Sequence, residues 1–161
     1  MMSTFVPGLV ALSLASGLVG GVFLSFSDFV MRSLGASQPV AGIEAMQQIN
    51  RKVYRSVFMV LLLGTGPVAI AASVLAAFAV GGAMALAVGA GAAVYVLGVM
   101  AVTIAGNVPM NERLDRMAFG AAETRAYWPV YLRRWTGWNH VRVLASTLSA
   151  ALFATGAVLA G

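Results

Sequence analysis

The chain of 161 residues is 60% hydrophobic and only 9% charged, and its mean hydropathy is +0.90. Soluble domains carry about 25% charged residues, so this composition predicts an integral membrane protein. Cysteine is absent, which excludes disulfides, a thiolate nucleophile and thiolate metal sites. All Lys and Arg lie between Arg32 and Arg142, so the net charge of +5 indicates membrane topology and no nucleic-acid partner.

The first predicted membrane span covers about residues 5–31 and carries no charge before Asp28. No basic segment precedes it and it exceeds a signal-peptide core in length, so a membrane span is favoured over a cleaved signal peptide. Small residues recur every four positions along it: Ser13, Gly17, Gly21 and Ser25. Such a ridge lets another helix approach closely, which predicts packing within the bundle and also allows a homo-oligomer.

Asp28 lies near the end of this span, where a carboxylate is costly unless it is paired or reaches water. Two explanations stay open. An ion pair with Arg32, four residues along the helix, would make Asp28 an interfacial residue. Alternatively, Asp28 belongs to a buried polar site that is shared with the last helix.

The second span is predicted over about residues 53–80. The segment from Gly35 to Pro39 breaks the first helix, and residues 40–55 then predict a short amphipathic helix that leads into this span. At helical spacing, Asn50 and Tyr54 share a face with residues that continue along one side of the second span. Both are therefore expected to face the interior of the bundle.

Gly81-Gly82 predicts a tight turn, and the third span follows over about residues 83–106. The end of that span suits a helix terminus, and Pro109 suits the first turn of a new helix. Two interpretations of the amides Asn107 and Asn111 stay open. They either belong to a helix-turn-helix junction or orient a polar ligand at the membrane boundary.

The last span is predicted over about residues 139–159, after a charged and partly amphipathic segment that is rich in aromatic residues. At about 100° per residue, one helical face carries a mixed aromatic and polar set. Its members are Trp135, Trp138, Asn139, Arg142, Ser146, Ser149 and Phe153. This face lies where the last span enters the membrane, a position at which a ligand could bind.

These elements predict an all-α fold, a polytopic four-helix membrane bundle with short amphipathic helices in two basic loops. The positive-inside rule predicts that both basic loops are cytoplasmic and both termini lie outside. Richness in alanine, glycine and arginine favours a bacterial source and hence the inner membrane. The polar residues converge near the cytoplasmic ends of the spans, which predicts a cavity for a flat aromatic or quinone-like molecule.

Three motifs carry a family resemblance: the run from Gly20 to Asp28, Asn-x-Pro-x-Asn at residues 107–111, and Trp-x-x-Trp-Asn-x-x-Arg ending at Arg142. Through these motifs the sequence resembles the anthrone oxygenase family of small four-span membrane proteins, and the resemblance covers nearly the whole chain. The resemblance implies an oxygenase that converts anthrones to anthraquinones with dioxygen and without a cofactor.

The residues permit this chemistry, because removing a proton from the methylene of an anthrone gives an enolate that reacts directly with dioxygen. We predict His140 as the general base, kept neutral by burial, with Asp28 orienting or replacing it. Arg142 and Asn139 complete the predicted catalytic set and stabilise the developing oxyanion. The predicted substrate-binding residues are Asn50, Tyr54, Asn107, Asn111, Trp135 and Trp138. His140 projects about 100° away from Asn139, which argues against both facing one pocket.

One histidine, no cysteine and three scattered glutamates predict no metal site. An alternative from another class stays open. The protein would then bind or move a small hydrophobic molecule, or assist a partner complex, without being an enzyme.

Overall fold

The computed structural model describes residues 2–118 and 120–161, and in these ranges the chain is helical without strands. Five helices follow one another: α1 (Ser3–Ala36), α2 (Pro39–Val53), α3 (Val57–Ala79), α4 (Gly82–Arg116) and α5 (Ala122–Ala160). All except α2 are long and apolar enough to cross a membrane. The predicted all-α, multi-pass membrane bundle is therefore confirmed.

Local sequence signals set the helix boundaries. Pro39 opens α2, where its fixed φ suits a first turn. The Ser56 hydroxyl caps α3 by accepting a hydrogen bond from the amide of Met59 at 3.2 Å. Gly81 and Gly82 have φ of 71° and 64°, a backbone conformation that favours glycine, and they form the predicted tight turn between α3 and α4.

The four long helices alternate in direction, so the two basic loops lie at the same end of the bundle, here called the basic end. Helix α1 packs mainly against α5, and α4 packs against α5 and α3. Helix α3 also packs against α1. Large apolar side chains point outward around the bundle, and Phe78 and Val158 are 90% and 80% exposed. Such a surface is suited to contact with lipid.

Three groups of buried side chains succeed one another along the bundle axis. The first, at the end opposite the basic loops, is built around Leu9, Met84 and Phe153. The second, in the middle, includes Phe23 and Tyr95. The third, here called the cap core, lies at the basic end. The cap core consists of Met31, Ile43, Met46, Leu114, Trp128, Tyr131 and Trp135.

The predicted junction at the end of the third span is wrong, because α4 continues without interruption to Arg116. Two π-helical segments interrupt its α-helical pattern, at Tyr95–Ala101 and Thr103–Asn107. Pro109 is the second residue after this segment, where the hydrogen-bonding pattern changes from π to α and the wider turn accommodates a proline.

Two further boundaries differ from those predicted. Residues 54–56 break the chain between α2 and α3, so the second apolar helix begins at Val57. Helix α5 is one continuous helix of 39 residues that joins the predicted charged segment to the last span, with Pro129 in its interior. Helix α2 confirms the amphipathic helix predicted in the first basic loop.

The small-residue ridge on α1 does not serve close packing at its two glycines. Gly17 and Gly21 are exposed, and a Cβ atom added to either would have no neighbour within 4 Å. Close approaches lie elsewhere. An added Cβ would be 3.1 Å from Cβ of Ser146 at Gly20 on α1, and 2.5 Å from Cβ of Ala145 at Gly98 on α4. Packing by small residues thus joins both α1 and α4 to α5. The homo-oligomer allowed by the ridge stays a prediction.

Candidate functional site

A cavity lies between all five helices, at the border between the middle group of buried side chains and the cap core. It has a volume of about 90 Å³, and the cleft that leads into it measures about 600 Å³ when its open part is included. Its polar and large aromatic lining residues are Phe23, Phe26, Asn50, Tyr54, Phe58, Thr103, Asn107, Asn111, Trp135 and Arg142. The other lining residues are apolar.

Arg142 on α5 is the only charged residue of this lining, and its side chain is only 4% exposed. Its Nη2 donates to Oδ1 of Asn139 at 2.7 Å, and its Nη1 donates to the Thr103 hydroxyl at 3.3 Å. The guanidinium carbon lies 4.1 Å from the ring centroid of Phe23 and 5.2 Å from that of Trp135. Aromatic faces and neutral dipoles therefore surround this cation.

Asn139 holds Arg142 in position. Its side chain is 0% exposed, and its Nδ2 donates to the carbonyl of Phe23 at 2.6 Å and to the Ser27 hydroxyl at 2.7 Å. Ser27 belongs to a π-helical segment of α1, Phe26–Val30, and π turns recur at functional sites. Asn139 does not line the cavity. Its contacts give it a positioning role for Arg142, and its direct catalytic role stays a prediction.

Asn111 positions the row of rings Trp128, Tyr131 and Trp135 on α5, here called the aromatic wall. Its Oδ1 accepts hydrogen bonds from the Tyr131 hydroxyl at 2.8 Å and from Nε1 of Trp135 at 2.7 Å. The rings of Trp128, Tyr131 and Trp135 follow one another along α5 in stacked pairs. Since Trp135 lines the cavity, Asn111 fixes the orientation of a ring on which a planar ligand can stack.

Three buried polar atoms of the lining residues have no hydrogen-bond partner among residues 2–118 and 120–161. They are Nδ2 of Asn50, Oδ1 of Asn107 and Nε of Arg142. Nδ2 of Asn107 is used, since it donates to the carbonyl of Trp135 at 3.2 Å. Unpaired buried polar atoms are costly, so two donors and one acceptor are available to a ligand here.

Asp28 lies outside the site. It pairs with Arg32 at 2.7 Å, and both side chains are largely exposed. The interfacial ion pair, one of the two explanations left open, is therefore the one that the structure confirms. The alternative, a buried site that includes Asp28, does not agree with its 62% exposed side chain, whereas the neighbouring Ser27 bonds to Asn139.

His140 and Trp138 also lie outside the cavity. His140 is exposed on α5, so the burial that its predicted role as a base required is absent, in agreement with its 100° offset from Asn139. Trp138 is 46% exposed, packs against Gly106 and is not among the lining residues. Its predicted stacking on a ligand stays a prediction. Tyr54 is 56% exposed and lines the mouth of the cavity.

Sequence reasoning missed three residues around Arg142. Thr103 lies four residues before Asn107 and eight before Asn111, and this helical period could have identified it. Phe23 and Ser27 fall in the motif that ends at Asp28, but no sequence pattern distinguishes them from their neighbours.

The sequence model of the anthrone oxygenase family matches residues 53–152, which are 100 of the 161 residues. The chain belongs to the anthrone oxygenase family. No curated protein and no solved structure matches it. The anthrone oxygenase match covers α3, α4 and most of α5, and hence Asn107, Asn111, Trp135 and Arg142. Helix α1 and most of α2, which carry Phe23 and Asn50, lie outside the matched range.

Proposed function

We propose that this protein is a membrane-embedded oxygenase of the anthrone type, which oxidises a polycyclic phenolic substrate to a quinone with dioxygen and without a cofactor. One observation carries the proposal. A cavity with aromatic walls holds a buried cation, Arg142, together with unpaired polar atoms on Asn50 and Asn107. Planar rings with oxygen substituents have the shape and the polarity that such a lining recognises.

Each unpaired atom has a matching group on such a substrate. Nε of Arg142 and Nδ2 of Asn50 are donors, so they suit a carbonyl or enolate oxygen. Oδ1 of Asn107 is an acceptor and suits a phenolic hydroxyl. Ligand pockets commonly measure about 300–1,000 Å³. A three-ring substrate therefore extends from the 90 Å³ cavity into the open cleft past Tyr54.

The reaction balances without a further oxidant. The methylene of the anthrone loses a proton to give an enolate, and the enolate carbon forms a bond to dioxygen. The resulting peroxide anion takes up a proton. Cleavage of its O–O bond, with loss of the second hydrogen of that carbon, then gives the quinone carbonyl and one water. Arg142 stabilises the negative charge on oxygen as it develops.

Oxygen uptake by the purified, chelator-treated protein with a simple anthrone tests the proposal. We expect uptake well above the spontaneous rate, with one quinone formed for each dioxygen consumed. Arg142→Gln should abolish it, since the neutral amide cannot stabilise an oxyanion as a cation does. Ser149→Ala is the matched control, because Ser149 is buried on the same helix and bonds to Gly91 outside the cavity. No uptake by folded wild-type protein would refute the proposal.

A second candidate is a membrane protein that binds or moves a quinone-like molecule without turnover. It is favoured by the cavity lining, which among the described residues includes no carboxylate and no imidazole to act as a base. Saturable binding of a quinone that depends on Arg142, without oxygen uptake, would select this candidate.

We further propose that the protein lies in a bacterial inner membrane, with the basic end cytoplasmic and both termini outside. The distribution of charge supports this orientation, because the termini and the Gly81-Gly82 turn carry no Lys or Arg.

A further inference from the structure

We infer that the cavity takes its ligand as an aromatic anion, which is the counter-charge of Arg142. This inference deepens the proposed function by naming the charge state of the ligand. It is tested by binding, so it can fail independently of turnover.

The environment of Arg142 is the first argument. An arginine buried at membrane depth is costly unless a partner offsets its charge. Its two hydrogen-bond partners, Thr103 and Asn139, are neutral, and its Nε has none in the described part of the chain. The rings of Phe23 and Trp135 contribute attraction but no negative charge.

The five acidic residues of the chain are the second argument, because all of them lie at the surface. Three pair with exposed arginines: Asp28 with Arg32, Glu112 with Arg116, and Asp115 with Arg51. The remaining two, Glu44 and Glu123, are exposed and do not line the cavity. The chain therefore supplies no carboxylate to Arg142, and the counter-charge comes with the ligand.

Few other ionisable groups face Arg142. Helix α1 presents Phe23, α3 presents apolar side chains, and α4 presents Thr103 and Asn107. The two phenols nearby are Tyr54 at the mouth and Tyr131 on α5, and the Tyr131 hydroxyl is engaged as a donor to Asn111. The ionisation that governs binding is therefore that of the ligand itself.

Arg142 also affects the acidity of a bound ligand. Among the residues that the structure describes, no carboxylate or imidazole lines the cavity around it. In the adjoining groove at Tyr54, the carboxylates of Glu112 and Asp115 are paired with Arg116 and Arg51. A cation fixed beside the ligand oxygen makes the bound phenol or enol more acidic, because it stabilises the ionised form. The proton then leaves to water through the open cleft. Arg142 thus favours the ionised ligand by electrostatics, whichever group accepts the proton.

Two bicyclic probes that differ in charge test the inference. At pH 7, 2-hydroxy-1,4-naphthoquinone is an anion, whereas 2-methoxy-1,4-naphthoquinone has the same rings and is neutral. Binding is measured by quenching of tryptophan fluorescence in detergent micelles, corrected for partitioning of each probe. We expect the anion to bind more than about tenfold tighter, because charge-assisted hydrogen bonds are roughly twice as strong as neutral ones. Equal affinities would overturn the inference, as would equally effective displacement by laurate, an anion without rings.

Variants of Thr103 test the role of charge without removing Arg142. Thr103→Asp introduces a carboxylate beside Nη1, and Thr103→Asn introduces a neutral side chain of the same size. We expect the Asp variant to bind the anionic probe more than about tenfold more weakly than the Asn variant, and both to bind the ether alike. Equal binding of the anion by the two variants would refute the inference. Circular dichroism checks that both are folded.

The two proposals fail separately. Oxygen uptake without preference for the anionic probe would overturn this inference and leave the proposed oxygenase intact. Preference for the anion without oxygen uptake would support the inference and refute the oxygenase.

Discussion

Replacing Asn139 by alanine should destabilise the protein severely and weaken ligand binding. The side chain is 0% exposed and joins three groups, the Phe23 carbonyl, the Ser27 hydroxyl and the Arg142 guanidinium. Two of the lost bonds are neutral and contribute about 0.6–1.7 kcal/mol each within a membrane bundle. The third involves a charged group and contributes about 1.5–3 kcal/mol. The expected loss in the free energy of unfolding is therefore about 3–6 kcal/mol.

Ser149→Ala is the reference for this measurement. Ser149 is equally buried on α5, but its hydroxyl makes a single hydrogen bond, to the carbonyl of Gly91 at 2.9 Å. Its replacement should cost about 0.6–1.7 kcal/mol. Unfolding of both variants by sodium dodecyl sulfate in mixed micelles, followed by circular dichroism, gives the two free energies of unfolding under identical conditions.

Ligand affinity distinguishes a positioning role from a purely structural one. In folded Asn139→Ala protein, Arg142 loses the contact that fixes its Nη2, so the anionic naphthoquinone should bind less tightly. Ser149→Ala should not change that affinity. If Asn139→Ala costs no more stability than Ser149→Ala and leaves binding unchanged, Asn139 does not position Arg142.

Two further substitutions probe the aromatic wall and the contact between α4 and α5. Asn111→Leu leaves two buried ring donors without their acceptor, so we expect a loss of about 1–3 kcal/mol and altered tryptophan emission. Unchanged emission and stability would contradict the role of Asn111. Gly98→Ala should destabilise by about 1–3 kcal/mol, because its Cβ would meet that of Ala145 at 2.5 Å and overpack the interface. Gly17→Ala should be tolerated in the same unfolding assay, and equal effects of the two glycine substitutions would contradict this packing.

The helical face of α5 was predictable because it depends on a period that the sequence displays. Asn139, Arg142, Ser146 and Phe153 were assigned to one face, and all are buried. Trp138 was assigned to the same face but is 46% exposed, and its ring packs against α4 at Gly106. Which residue at the edge of a face is buried depends on the neighbouring helix, and the sequence of α5 does not contain that information.

The continuity of α4 was not predictable for a similar reason. Asn107 and Pro109 form a good helix-end signal in isolation, and the π-helical segment Thr103–Asn107 overrides it. That segment turns Thr103 and Asn107 toward Arg142 on another helix. The burial predicted for His140, and considered for Asp28, is absent, because polarity at a membrane boundary does not tell a surface ion pair from a buried group. Their exposure could be known only from the fold.

The length of α5 has a consequence for how the molecule unfolds. Its 39 residues span about 58 Å, whereas a bilayer interior is about 30 Å thick, so about half of the helix stands beyond the lipid. Van der Waals contacts and hydrogen bonds stabilise the lipid-embedded half of the bundle. The hydrophobic effect stabilises the cap core around Met46 and Tyr131. Urea should therefore loosen the cap first, and a harsh detergent should loosen the embedded half first. The cavity lies at the border between these two parts. Urea would therefore open it from the side of the cap core, and a harsh detergent from the side of the embedded half.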